Sequence, residues 1–135
     1  KTYYIPADAI VYGSLDSSHG GTRNGHDIRI FGHGTLSGAR LAHPYYDSRP
    51  LPNPNPVKLE GAHNSTVEGI TIEDSAYHSL MMWAGYRPEE PTIVRWVKIF
   101  TWRANGDGIN PGQNMRIENT FLRTQDDALY VKGVG

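Results

Sequence analysis

Residues 67–72 read VEGITI, and the same apolar spacing returns in VRWVKI at 94–99 and IENTFL at 117–122. Each segment begins and ends on an apolar residue, and the starting residues Val67, Val94 and Ile117 are 27 and 23 residues apart. A polar bend and another apolar residue follow each segment, in DSAYHSL (74–80), RANGDGI (103–109) and RTQDDAL (123–129). A period in the twenties with short strands in every repeat is typical of a right-handed parallel β-helix, whose stacked coils bury a continuous core.

The composition favours strands over helices along the whole chain. The 135 residues include 15 Gly and 9 Pro, and no segment has a sustained apolar stripe at helical spacing. Short β-branched and aromatic runs occur instead, at 9–15, 28–32, 57–61, 67–72, 94–99 and 115–122. A β-sandwich would also show frequent turn signals, but it gives no reason for bends to recur at matching points of successive repeats. We therefore predict an all-β chain in which residues 1–135 form part of a single parallel β-helix catalytic domain.

The ends and one internal segment depart from this pattern. About six coils of such a period fit in 135 residues. The sequence ends in YVKGVG without a capping element, although solenoids need capped ends, so we expect the chain to be a fragment of a longer β-helix. Residues 41–56 interrupt the repeat, and four prolines within 50–56 favour an extended conformation. This segment is either a surface loop or a wall beside a groove, with Tyr45 and Tyr46 available for stacking on sugars.

Charge and composition exclude several classes of function. The net charge of −1 gives no electrostatic basis for binding nucleic acid or an anionic membrane. No apolar stretch approaches the length of a membrane helix. The absence of cysteine excludes disulfides, thiolate metal sites and a cysteine nucleophile. We predict no zinc site, because no metal-ligand spacing is present among the histidines at 19, 26, 33 and 43.

Alignment of the bends brings three aspartates to neighbouring coils. Asp107 lies in one coil and the pair Asp126 and Asp127 in the next, and coils are spaced by about 4.8 Å. Because neighbours on a regular strand face opposite sides, the adjacent pair must lie at a bend or bulge to face one groove. His78, one coil earlier, either lines this groove or bonds to a backbone carbonyl. We expect Trp102 to pack between coils rather than to stack on a sugar.

Three interpretations of these aspartates remain open. Glycoside hydrolysis needs a protonated carboxyl and a second carboxylate, and mutual repulsion raises at least one carboxyl pKa. A calcium site, as in β-helix pectate lyases, would use the aspartates with Asn105, Asn110 and Asn119, and a base among Arg103, Arg123 and Lys132. In the third interpretation the aspartates only mark turns, where Asp and Gly are common.

Two motifs resemble those of a known clan. Asn105-Gly-Asp-Gly-Ile109 and Gln125-Asp-Asp-Ala-Leu-Tyr-Val-Lys-Gly133 are similar to motifs of the inverting β-helix glycosidases, which include the polygalacturonases and the dextranase/isopullulanase family. The resemblance covers mainly residues 64–133. The 19-residue interval from Asp107 to Asp126, and the stretches 4–13 and 32–38, are closer to the dextranase type. NGDGINPG and DDALYVKG, with Lys132 after the aspartate pair, are closer to the polygalacturonases.

The resemblance implies inverting hydrolysis of an α-linked polysaccharide by a secreted monomer, with no cofactor and no metal. It implies that Asp126 is the general acid and that Asp107 and Asp127 hold and deprotonate the attacking water. Asn105 and Gln125 match polar neighbours that orient these carboxylates, and His78 and Lys132 are further candidates for substrate binding. We favour a neutral α-glucan of the dextran or pullulan kind over a pectic substrate. The alternatives are a polygalacturonase-like pectin hydrolase and a tailspike-like β-helix that binds glycans without cleaving them.

Overall fold

The chain forms strands without helices wherever its structure is described. The computed structural model describes residues 1–17, 25–47, 53–84 and 89–131, with the backbone alone at 83 and 84. These ranges contain no helix, and hence none that could cross a membrane. The strands are β1 (Thr2–Ile5), β2 (Ile10–Tyr12), β3 (Leu15–Asp16), β4 (Arg29–Gly32), β5 (Thr35–Ser37), β6 (Val57–Ala62), β7 (Thr66–Glu68), β8 (Thr71–Glu73), β9 (Leu80–Ala84), β10 (Thr92–Arg95), β11 (Lys98–Phe100), β12 (Ile109–Asn110), β13 (Met115–Glu118) and β14 (Phe121–Arg123).

These strands build three parallel sheets that form a β-solenoid. The first sheet has the order β1-β4-β7-β10-β13, the second β2-β5-β8-β11-β14 and the third β3-β6-β9-β12. Each strand pairs with the strand three places later in the chain, so one coil contributes one strand to every sheet. The described residues make four coils and the first two strands of a fifth. The sandwich alternative is therefore wrong. The expected number of about six coils is also wrong, because residues 38–47 and 53–56 lie outside the repeat, between β5 and β6.

The register agrees with the alignment made from the sequence. Val94 pairs with Val67 and Ile117 in the first sheet, and Ile99 pairs with Ile72 and Leu122 in the second. Each of these segments, however, is two strands that meet at a corner. In a single strand, residues five positions apart would face opposite sides, and the corner lets both face inward. The residue at the corner has a positive φ, which is 77° at Gly69, 53° at Trp96 and 50° at Asn119.

The interior of the solenoid consists of ladders of aliphatic side chains. Ile30 and Val67 stack in the first sheet, Leu36 and Ile72 in the second, and Val57 and Leu80 in the third, all at most 1% exposed. Removing this apolar surface from water is the main favourable contribution to folding. A parallel solenoid cannot bury these side chains within one coil, so the stacking of coils and the burial of the core occur together.

Candidate functional site

The bends that lead into the third sheet share one register. Leu80 pairs with Ile109, and Ile109 with Leu129. The amide of Ser79 donates to the carbonyl of Asp107 at 2.9 Å, and the amide of Gly108 donates to the carbonyl of Asp127 at 2.9 Å. His78, Asp107 and Asp127 therefore occupy equivalent positions on the third, fourth and fifth coils. The alignment of the bends predicted from the sequence is confirmed.

Close packing on both sides of Asp107 explains the Asn-Gly-Asp-Gly sequence. Asn105 has a positive φ of 53°, a conformation that asparagine tolerates better than most residues. A Cβ at Gly106 would lie 2.7 Å from the carbonyl oxygen of Arg103, and one at Gly108 would lie 2.5 Å from that of Ala128. The turn interpretation thus accounts for these three neighbours of Asp107. It does not account for a carboxylate at the buried position between them.

Asp107 is a buried carboxylate in a largely charged environment. It is 4% exposed, and its Oδ2 atom lies 3.5 Å from Nδ1 of His78. Burial raises the pKa of Asp107, the charge of His78 opposes this rise, and the charges of Asp126 and Asp127 add to it. A hydrogen bond with the side chain of Asn110 also lowers the pKa. The net direction is upward, so Asp107 holds its proton to a higher pH than an exposed aspartate.

The aspartate pair lies on the exposed side of the same bend. Asp126 is outside any strand, in the bend after β14, and its carbonyl accepts a 2.7 Å hydrogen bond from the hydroxyl of Thr124. The expectation that the pair would lie at a bend is confirmed. Both side chains are exposed, as is that of Gln125, and the charges of Asp126 and Asp127 act on Asp107. The structure thus brings the three aspartates together on one face, while Lys132 lies outside the described residues.

Tyrosines that the sequence reasoning did not select surround His78. His78 is 9% exposed, and its ring centroid lies 3.9 Å from that of Tyr77 and 5.8 Å from that of Tyr130. A hydrogen bond with Tyr45 is the largest of the effects that raise the pKa of Tyr77 to about 12. The aligned bends could have identified Tyr77, which directly precedes His78, and Tyr130, which directly follows the paired residue Leu129. Nδ1 of His78 has no hydrogen-bond partner among the described residues.

The segment before β6 folds onto the bend that carries Asp107. Nε2 of His43 donates to the carbonyl of Ala104 at 2.8 Å, while its Nδ1 accepts a hydrogen bond from the amide of Tyr45. These two contacts fit the tautomer of His43 that has its proton on Nε2. Tyr45 and Tyr46 remain 68% and 75% exposed beside this contact. The structure therefore favours the wall over the surface loop, and 'the wall' denotes residues 39–47 and 53–56 from here on.

Arg103 makes a second set of contacts with this wall. Its two terminal nitrogens donate to the carbonyls of Leu41 and Ala39 at 3.0 and 2.9 Å, and its Nε lies 3.2 Å from Oδ1 of Asp74. All three guanidinium nitrogens therefore bind the protein itself. This places Arg103 in a structural role and argues against its use as the base of a lyase.

Two further expectations concern Trp102 and calcium. The expected packing of Trp102 between coils is wrong, because Trp102 is 63% exposed and the neighbouring Thr101 is 2% exposed. Asn119, one of the suggested calcium ligands, lies at the corner between β13 and β14, away from the bend of Asp107. Within the described ranges, no three His, Cys, Asp or Glu side chains are arranged to hold a metal ion.

Comparison with known proteins gives a distant and partial similarity. A dextranase from Arthrobacter globiformis is 25% identical to this chain over 63 residues, which cover 47% of this chain and 10% of the dextranase. The chain therefore spans about a tenth of the length of this relative. No family model matches the chain, and no solved structure matches it significantly. The similarity suggests a glycosidase-like protein, and the parallel solenoid is compatible with that suggestion.

Proposed function

We propose that this chain forms part of a glycoside hydrolase that cleaves an α-linked, dextran-like glucan with inversion. The observation that carries the proposal is the placement of Asp107, Asp126 and Asp127 at matched bends of successive coils. The buried Asp107 beside His78 and the two exposed aspartates provide carboxyl groups in different environments, as acid–base catalysis requires. The partial similarity to a dextranase supports the choice of a neutral glucan.

Each aspartate has a role that suits its surroundings. Asp126, exposed in the bend, donates a proton to the leaving oxygen of the glycosidic bond. Asp107 and Asp127 hold the water that attacks the anomeric carbon from the opposite face. The raised pKa of Asp107 makes its ionised form a stronger base than an ordinary aspartate. The charge of His78 opposes the rise in the pKa of Asp107 and so favours this ionised form.

The pH dependence of the reaction follows from these roles. Because the base must be ionised, the rate falls as the pH drops through the raised pKa of Asp107. Inversion further requires the acid and the base pair to be about 6.5–9.5 Å apart, which leaves room for the water.

Replacement of the general acid tests the proposal. We expect Asp126→Asn in the complete natural protein to reduce sugar release from its best polysaccharide at least about 100-fold, since the leaving oxygen loses its proton donor. The substrates are dextran, pullulan and polygalacturonate, and NMR of the anomeric protons of the first product reports inversion. Asp8→Asn, an exposed aspartate in the first coil, serves as the control and should retain full activity.

Three results would contradict parts of this assignment. Near-normal activity of Asp126→Asn removes Asp126 from the acid role. Activity confined to polygalacturonate replaces the glucan by a pectic substrate. If the unmodified protein releases no sugar from any substrate in the panel, the proposal of hydrolysis fails and a glycan-binding role takes its place.

A further inference from the structure

A separate cavity of about 290 Å³ is lined in part by Tyr77, which lies in the bend aligned with that of Asp107. It lies between the wall and the outer surface of the third sheet, and its lining includes Tyr45, Asn53, Asn55, Lys58 and Glu60. Those lining residues that belong to the repeat lie in the second and third coils, whereas Asp107 and Asp127 lie in the fourth and fifth coils. At one strand spacing per coil, the cavity is centred about 10 Å from these aspartates.

The lining offers an aromatic surface at the entrance of this cavity. The rings of Tyr45 and Tyr77 lie 5.9 Å apart at an angle of 75°, and Tyr45 is 68% exposed. An exposed aromatic face of this kind covers the apolar face of a sugar ring, while the hydroxyl remains available for hydrogen bonds. Tyr77 also contacts His78, which lies beside Asp107. Tyr77 and His78 therefore lie between the cavity and the aspartate site.

The remaining lining is polar but electrically balanced. Nζ of Lys58 lies 2.9 Å from Oε1 of Glu60, and these are the charged residues among those that line the cavity. Asn53 and Asn55 are 6% and 4% exposed, and Oδ1 of Asn55 has no hydrogen-bond partner within the described ranges. This lining suits a neutral ligand rich in hydroxyl groups better than an acidic sugar.

We propose that this cavity binds one sugar unit of a neutral glycan that runs along the solenoid axis from the cavity to the aspartates. Tyr45 stacks on that unit, and Tyr77 separates it from the units nearer to His78. Because about two coils separate the cavity from Asp107 and Asp127, the ligand is an oligosaccharide rather than a single sugar. The position of the cleaved bond in this arrangement rests on the proposed function, whereas binding in the cavity does not.

Binding measurements on a protein that cannot turn over its ligand test this proposal. Calorimetry uses the complete natural protein with Asp126→Asn and four ligands, namely isomaltohexaose, maltohexaose, hexagalacturonic acid and the disaccharide of the better neutral hexasaccharide. We expect Tyr45→Ala to weaken binding of the better neutral hexasaccharide about tenfold. Binding of the disaccharide, which occupies the aspartate end, should not change. Tyr45→Phe retains the ring and should retain most of the affinity.

A control variant distinguishes stacking from a general loss of structure. Tyr4→Ala removes a tyrosine of similar exposure, 62%, from β1 in the first sheet, and it should leave all affinities unchanged. The proposal is overturned if no neutral hexasaccharide binds, if Tyr45→Ala weakens hexasaccharide and disaccharide equally, or if it weakens neither. Preferred binding of hexagalacturonic acid overturns the assignment to a neutral glycan.

Hydrolysis by the protein without substitutions separates this proposal from the proposed function. Tyr45-dependent binding of the hexasaccharide, without release of sugar from any polysaccharide, supports the cavity assignment and contradicts hydrolysis. Hydrolysis of short and long glucans with equal efficiency, unaffected by Tyr45→Ala, supports the proposed function and contradicts the cavity assignment.

Discussion

Asp107 carries a charge at a position where burial disfavours it. It is 4% exposed, and its pKa in the folded protein is raised, first of all by burial. A group with a raised pKa contributes stability that is complete below its unfolded pKa and is lost as the pH rises through its folded pKa. Asp107 therefore favours the folded state at acidic pH and lowers the free energy of unfolding at neutral pH. The ionised form of Asp107 thus lowers the stability of the fold, and a catalytic role would explain why an aspartate occupies this position.

Removal of this charge should stabilise the protein and abolish its activity. We expect Asp107→Asn to raise the melting temperature by about 2–4 °C at pH 7, because the buried charge is absent. The difference from the unmodified protein should shrink as the pH falls through the folded pKa of Asp107. The measurement is thermal unfolding across this pH range, combined with an assay of sugar release, which should fall at least about 100-fold.

The exposed neighbour provides the control for this prediction. Asp126→Asn should leave the melting temperature nearly unchanged, because water solvates its side chain in both the folded and the unfolded state. A melting temperature of Asp107→Asn below that of the unmodified protein at every pH would show that favourable contacts of the carboxylate outweigh its burial.

At the scale of structural elements, Arg103 holds the wall against the bend that carries Asp107. Its guanidinium group donates to two carbonyls of the wall, at Ala39 and Leu41, and lies beside Asp74. We expect Arg103→Ala to lower the free energy of unfolding by about 1–3 kcal/mol, because the two carbonyls lose charged donors. Limited proteolysis should then cut within 39–47 faster than in the unmodified protein, while the strands remain resistant.

A surface arginine serves as the comparison for Arg103. Arg116 pairs with Glu118 on the exposed face of β13, where its side chain is 63% exposed. Arg116→Ala should change the free energy of unfolding by less than about 1 kcal/mol, as is usual for surface ion pairs. Equal protease sensitivity of the two variants would mean that Arg103 does not hold the wall in place.

The wall also shows where prediction from the sequence stops. The strands were predictable because inward side chains such as Val67, Val94 and Ile117 repeat along the chain and then pair in the structure. The contact between His43 and Ala104 has no such periodicity, because it joins residues 61 positions apart. The position of the wall, and with it the cavity at Tyr45, therefore required the three-dimensional structure.

The candidate site was predictable to the extent that it follows the repeat. Equivalent positions at His78, Asp107 and Asp127 follow from the alignment of the bends. The burial of Asp107 and the exposure of Trp102 do not follow from that alignment. They depend on the backbone angles at the bends, which the alignment does not reveal. The roles assigned to the aspartates and to Lys132 remain predictions.

At the scale of the whole molecule, the described strands form a stack in which each coil pairs only with the coils next to it. Ile99 is fully buried at the centre of this stack, between Ile72 and Leu122. We expect Ile99→Ala to lower the free energy of unfolding by about 2–5 kcal/mol, because it opens a cavity between two coil interfaces. Phe121→Ala, on the outer face of the next coil where Phe121 is 53% exposed, should cost less than about 1 kcal/mol.

Hydrogen exchange shows whether the damage from Ile99→Ala stays local. Amides of β11, which contains the substituted position, and of its neighbours β8 and β14 should lose protection first. Amides of β2 and β5 should keep most of their protection, because the packing between their coils is unchanged. Denaturation in urea gives the total loss of stability for comparison. An equal loss of protection in all coils would contradict the picture of coils coupled only to their neighbours, and would mean that the stack unfolds as one cooperative unit.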